Sequence, residues 1–202
     1  MGNGNKVEFL IAVCALVTSL IAIWVAWDQS RVMRAQQHGM VFPVLQADGF
    51  VSTKEDIVSI GVSLENSGVG PALLGSVIAS VNGEEISTLE SFRPTLPSGF
   101  QISWAGVAGR AIAPGNKIDA IRLEWDRAEI TQQQLNTAVT EWSQLDLEFC
   151  YCSVFERCWV TKMGVSKTNP VKACRLTDTD IFEEFGLQTS MPSTSAQSEA
   201  SQ

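Results

Sequence analysis

The sequence predicts a mainly β protein: one N-terminal transmembrane helix, then an antiparallel β-sandwich with one or two short helices. Three observations lead there. An uncharged apolar run fills residues 9–27, apolar alternation returns again and again after residue 41, and turn-forming clusters break that alternation at roughly ten-residue intervals. At 202 residues the chain has room for one anchor and one ordinary domain.

Residues 1–8 read as a short N-terminal tail. The run at 9–27, FLIAVCALVTSLIAIWVAW, would rise about 28 Å as a helix, matching a hydrocarbon core of about 30 Å. Trp24 and Trp27 stand at its end, where indoles prefer the headgroup layer. A cleaved signal peptide would have a shorter apolar stretch and a small-residue exit, whereas this run ends in bulky Trp27, so it reads as a signal anchor in the lipid bilayer. Residues 28–40 lack proline and favour helix, which predicts a helical stalk ending near Gly39; a helical stalk also allows a homo-oligomer, although the anchor has no spaced-glycine motif. Phe42-Pro43 then turns the chain into an extended strand.

The body covers 41–187. Val58, Ile60, Val62 and Leu64 alternate with Ser59, Gly61 and Ser63, the pattern of a half-buried strand. It ends in the turn-forming stretch Asn66-Ser67-Gly68-Val69-Gly70-Pro71. A strand over 73–81 meets Asn82-Gly83, the strongest short hairpin signal, and returns through 84–86. A helical turn is expected near 89–92, strands over 101–105, 109–113 and 118–125, and a helix over 131–143 with Leu135, Ala138, Val139 and Trp142 on its apolar stripe. Strands follow at 145–151 and 158–161, and a last short one at 171–176. Trp104, Trp125, Trp142 and Trp159 read as core residues or sheet caps, with Trp104 and Trp159 as candidates for an aromatic ligand shelf. The Ser/Thr/Gln-rich tail, 188–202, has little to bury and is expected to be disordered.

Cys14 falls within the anchor, leaving Cys150, Cys152, Cys158 and Cys174 as an even set. A hairpin loop of Val154-Phe155-Glu156 would set Cys152 opposite Cys158. That favours bridges Cys152–Cys158 and Cys150–Cys174, with Cys150–Cys158 and Cys152–Cys174 as the alternative. Disulfides persist on an oxidising side of a membrane, which argues for export of the body. The Arg31 and Arg34 flank against Lys6 pulls weakly the other way. The spacing is poor for structural zinc, and no metal or cofactor is expected.

The net charge is −8, and residues after 40 hold 20 acids against 11 bases, a balance that repels phosphate backbones and excludes nucleic acid as the expected partner. The single histidine, His38, precedes the body, so a Ser-His-Asp or Cys-His site lacks its base there. Gly68-Val69-Gly70-Pro71 lacks the lysine of a phosphate loop. Glu84-Glu85, Asp178 with Asp180, and Glu183-Glu184 read as solvated acids, and Asp178-x-Asp180 lacks the rest of a calcium loop. No catalytic residue is nominated.

The stretch Glu65-Asn66-Ser67-Gly68-Val69-Gly70-Pro71-Ala72 leading to Val81-Asn82-Gly83-Glu84, with RVMRAQQHGMVFPVL at 31–45 and the run from Tyr151 to Trp159, resembles uncharacterised bacterial single-pass membrane proteins. The resemblance implies an inner-membrane protein with an immunoglobulin-like (Ig-like) body facing the periplasm, and it transfers no catalytic residue. Physically, the glycines of this turn permit positive φ and the Asn side chain satisfies nearby backbone; read functionally, Asn66, Gly68, Gly70 and Pro71 form a notch for a partner. The expected role is a non-enzymatic interaction module contacting another envelope protein. A ligand-sensing body with a Trp-lined pocket and a thiol-dependent enzyme are the alternatives.

Overall fold

The computed structural model describes residues 4–165, 167–175 and 180–190. The chain divides into two compact units, broken between Met40 and Val41.

The first unit is helix α1, Gly4–Met40, in which anchor and stalk form one uninterrupted element. It starts inside the segment expected as a tail and ends at Met40, the last residue of the expected stalk. Its span Val7–Arg34 is long and apolar enough to cross a membrane. The two hydroxyls in the apolar run are turned back onto the helix: Thr18 Oγ1 donates to the Cys14 carbonyl at 3.0 Å and Ser19 Oγ to that of Leu16 at 2.7 Å. Neither needs a partner from the lipid.

The second unit packs two antiparallel sheets face to face. The strands are β1 (Leu45–Lys54), β2 (Ile57–Asn66), β3 (Ala72–Val81), β4 (Glu84–Ile86), β5 (Gln101–Trp104), β6 (Ala111–Ile112), β7 (Lys117–Asp126), β8 (Leu145–Cys152), β9 (Cys158–Lys162) and β10 (Asn169–Val171). One sheet has the order β1-β2-β7-β5; the other has β10-β9-β8-β3-β4, with β6 also paired to β3. Between them lie Leu45, Ile60, Leu64, Ile121, Leu123, Trp125, Leu147 and Phe149, all essentially inaccessible to water. Asn82 and Gly83 take φ of 53° and 85° and make the tight β3–β4 turn.

Helix α2, Gln132–Trp142, is capped as its sequence demands. Thr131 Oγ1 accepts from the Gln134 amide at 3.2 Å, and Gln134 Oε1 accepts from the Thr131 amide at 2.9 Å. Leu135, Ala138 and Trp142 are buried, and Val139 packs at the margin of the core.

Four expectations are corrected. Strand β2 is buried on both faces rather than one, because it runs between β1 and β7 and its outer face is roofed. The Phe50 ring lies so close over Gly61 that an added Cβ would stand 2.8 Å from it, with the Arg122 guanidinium 5.2 Å above that ring. The strand expected at 109–113 shrinks to Ala111–Ile112. The last strand is Asn169–Val171, earlier than 171–176, because its partners are Trp159, Val160 and Cys158 of β9.

The fourth correction is helix α3, Ile181–Ser190, where the sequence predicts acidic surface running into a tail from residue 188. Ile181, Phe182 and Phe185 are buried in the core, and Phe182 stacks on Phe149 with ring centroids 6.4 Å apart. Asp180 is not a solvated acid. It is buried, its Oδ1 accepts from the Phe182 amide at 3.0 Å, and its Oδ2 accepts from the amides of Val107 and of Ala108, the latter at 3.0 Å. Asp178 and residues 191–202 lie outside the described residues.

Candidate functional site

The Asn66–Pro71 turn is filled by the chain itself. Asn66 is wholly buried and satisfies all four positions of its amide: Oδ1 accepts from Val44 N at 3.2 Å and Gly68 N at 3.0 Å, while Nδ2 donates to the carbonyls of Gly70 at 2.8 Å and Ile112 at 2.9 Å. The segment 41–44 lies along the turn, with Ser67 N bonded to the Val44 carbonyl at 2.9 Å and Val69 N to that of Phe42 at 3.0 Å. Glycine is required by proximity: a Cβ on Gly70 would stand 2.1 Å from the Val41 carbonyl oxygen, and one on Gly68 2.4 Å from Val44 N. Pro71 leads into β3. The motif therefore latches the chain entering the sandwich, and the notch read from the sequence holds residues 41–44.

Phe42 carries that latch to the other sheet. Its ring meets Trp159 of β9 edge-on at 4.9 Å, and Trp159 in turn lies 5.9 Å from Tyr151 of β8. Trp104 is covered as well, since a Cβ on Gly186 of α3 would fall 2.4 Å from its indole. The two tryptophans nominated as a ligand shelf are thus partly covered, Trp159 by Phe42 and Trp104 by α3.

Tyr151, the chain's one tyrosine, is fully buried. Burial pushes its phenol above the ordinary 10.0, opposed by the Leu45 backbone amide and the Thr168 side chain. The folded chain holds this proton more tightly than the unfolded chain. The stabilisation is therefore complete below pH 10 and is lost as the pH rises above it. Tyr151→Phe is expected to flatten the alkaline side of the stability profile; denaturant melts between neutrality and strong alkali check this, and an unchanged alkaline slope would refute it.

The structure joins Cys152 to Cys158, with Cα atoms 4.0 Å apart, and Cys150 to Cys174, 5.5 Å apart. In the β8–β9 hairpin Cys152 stands opposite Cys158, Ser153 N donates to the Arg157 carbonyl at 2.8 Å, and Glu156 takes φ of 58°. Gly75, at an irregularity in the β3–β8 ladder, makes room for the second bridge: a Cβ there would be 2.6 Å from the Cys174 Cβ. The two bridges touch, with Cys152 Sγ 3.6 Å from Cys174 Sγ. Cys152, Cys158 and Cys174 hold their sulfurs within 4.8 Å of one another, but a bridged sulfur lacks the thiolate charge that ligates metal.

That contact predicts an exchange. In Cys158→Ser the freed Cys152 thiolate attacks Cys174 Sγ, the Cys150–Cys174 bond breaks, and Cys150 leaves as the thiolate. Peptide mapping should find both Cys150–Cys174 and Cys152–Cys174. A single unshuffled bridge after alkaline incubation would count against this.

The feature that sequence reasoning missed lies along β1. Beneath its second half is a cavity of about 300 Å³ lined chiefly by Val51, Ile60, Val139, Trp142, Met163 and Gly164. Val51 is 53% exposed beside it. No local signal could have found it, because α2, the β9 exit and β1 meet there only in three dimensions. Comparison with protein-family models, with curated proteins and with solved structures finds no match to this chain, so the reading of its function rests on this geometry.

Proposed function

We propose that this chain is a non-enzymatic, membrane-anchored interaction module of the cell envelope, and that the outer edge of β1 is its contact surface. The observation that carries the reading is a strand edge left unpaired from Gly49 to Thr53 beside an apolar cavity, the arrangement by which sheets accept a further strand. The membrane-anchored β-rich architecture supports it, as does the placement of the chain's single histidine on α1 rather than in the sandwich. The two bridges favour an oxidising side, and the resemblance of the Asn66 turn to bacterial single-pass proteins makes the periplasm our reading of that side. The same resemblance motivates an Ig-like identity for the sandwich.

A photoreactive residue at Val51 tests the reading in intact membranes. It should give discrete protein adducts, whereas the same residue at exposed Gln133 on α2 should not. No adduct from Val51 would overturn it.

The cavity also favours a second reading, a sensor for a small apolar ligand, because its volume is at the low end of ligand pockets. Its reporter would be Trp142 rather than Trp104 or Trp159. Unchanged tryptophan emission across a panel of small apolar molecules would exclude it.

A further inference from the structure

The hydrogen-bonding pattern of β1 shows which backbone groups its edge offers. Leu45 pairs with Asn66, and the Val44 carbonyl accepts from Ser67, so even-numbered residues bond to β2. Odd-numbered residues then turn their amides outward. At the start of the strand this outer side is used, since Gly164 N donates to the Ala47 carbonyl at 2.8 Å. Farther along, no hydrogen bond among the described residues reaches the outward backbone of Gly49, Val51 or Thr53. Natural edges are commonly blunted by proline, a bulge or inward-pointing charge. Here β1 runs in unbroken register with β2 and contains no proline.

We propose that the occupant of this edge is a second copy of the chain, pairing β1 with β1 antiparallel about a two-fold axis through Val51. This rests on the reading of the β1 edge as the contact surface and adds its partner and register. Outward amides must face outward amides, so the axis passes through a residue rather than between two. Asp48 and Lys54 stand at equal distances on either side of Val51, both exposed, and neither side-chain charge has a partner among the described residues.

An axis through Val51 sets Asp48 opposite Lys54 of the second copy, twice. Shifting it to Phe50 leaves Asp48 facing Ser52 and Lys54 facing Gln46. Shifting it to Ser52 sets Lys54 against Phe50 and carries Asp48 past the end of the partner strand. Opposite charges directly across a ladder attract and like charges repel, so the edge is complementary to itself in the Val51 register alone. That is the signature of an isologous contact. The same register brings Val51 beside its counterpart at the cavity mouth. The two β1-β2-β7-β5 sheets become one continuous sheet with no exposed β1 edge. Anchoring in a bilayer would confine the two copies and raise their effective concentration.

The test uses the full chain in nanodiscs, with the dimer dissociation constant as the readout. Asp48→Lys and Lys54→Asp should each weaken dimerisation on the order of ten-fold, and the double charge swap should restore it. Val51→Pro should abolish dimerisation with the circular dichroism spectrum unchanged, because the Val51 amide makes no bond to β2. A monomeric wild type, or a dimer indifferent to all four variants, would overturn the proposal. The photoreactive residue at Val51 separates the two levels. Adducts of twice the chain mass support the second copy, and adducts with a different protein overturn it while sparing the edge. No adduct removes both.

Discussion

Asn66→Ala is expected to be the most damaging substitution in the sandwich that leaves apolar packing untouched, lowering stability by about 3–5 kcal/mol. The side chain is wholly buried and holds two amides and two carbonyls from three separate stretches of chain. Alanine takes this partner from the groups of Val44, Gly68, Gly70 and Ile112, and the carbonyls of Gly70 and Ile112 lose theirs in a buried site. Each such group costs about 1–3 kcal/mol, and relaxation of the turn recovers part of the sum. Asn66→Asp should fare no better, because a carboxylate would face the Gly70 and Ile112 carbonyls. Equilibrium denaturant unfolding measures the loss, and a change below about 1 kcal/mol would refute the latch. Gly70→Ala attacks the same contact from the other side, with backbone rather than a flexible side chain in the way. It should release 41–44 and expose the Phe42 region to limited proteolysis.

Phe182→Ala is expected to cost about 3–5 kcal/mol. Helix α3 presents Ile181, Phe182 and Phe185 to the core, with Phe182 stacked on Phe149 and Gly186 against Trp104. Truncating the ring removes its burial and leaves a hole that Phe149, held in the middle of β8, cannot collapse to fill. Hydrogen exchange should show α3 losing protection before the strands do. A full-length variant with wild-type stability would mean that α3 is not part of the cooperative unit. Asp180→Asn should also destabilise, since its one oxygen can serve either the Phe182 amide or those of Val107 and Ala108, and its NH2 would face the amides left over.

Legibility in the sequence followed the range of the forces involved. The apolar run of α1, the Asn82-Gly83 turn, the Thr131 and Gln134 cap and the stripe of α2 depend on residues within a turn or two of each other, and each was readable. The set of cysteine pairings was readable in the same way, because the hairpin loop at 154–156 fixes the register of Cys152 against Cys158. Helix α3 does carry a local signal: Asp180 followed by Glu183, with Ile181, Phe182 and Phe185 on one side, is a capping pattern ahead of an apolar stripe. Glu183-Glu184 and the polar residues that follow mask that pattern in a window reading of the sequence.

Other features had no local signal. That Asn66 holds Val44 and Ile112 depends on contacts 22 and 46 residues away along the chain. That β2 is sealed on both faces depends on Phe50 and Arg122 being drawn over Gly61 from neighbouring strands. The anchor, the β character of the body, the turns and the available cysteine pairings are written in the chain alone, since hydrophobic periodicity and backbone preference act between near neighbours. It takes the folded molecule to show that the glycine-rich turn grips the incoming chain, that Trp104 and Trp159 are partly covered, and that β1 keeps an open edge beyond Ala47. Those outcomes depend on which distant surfaces exclude water from one another, and no stretch of sequence contains both surfaces.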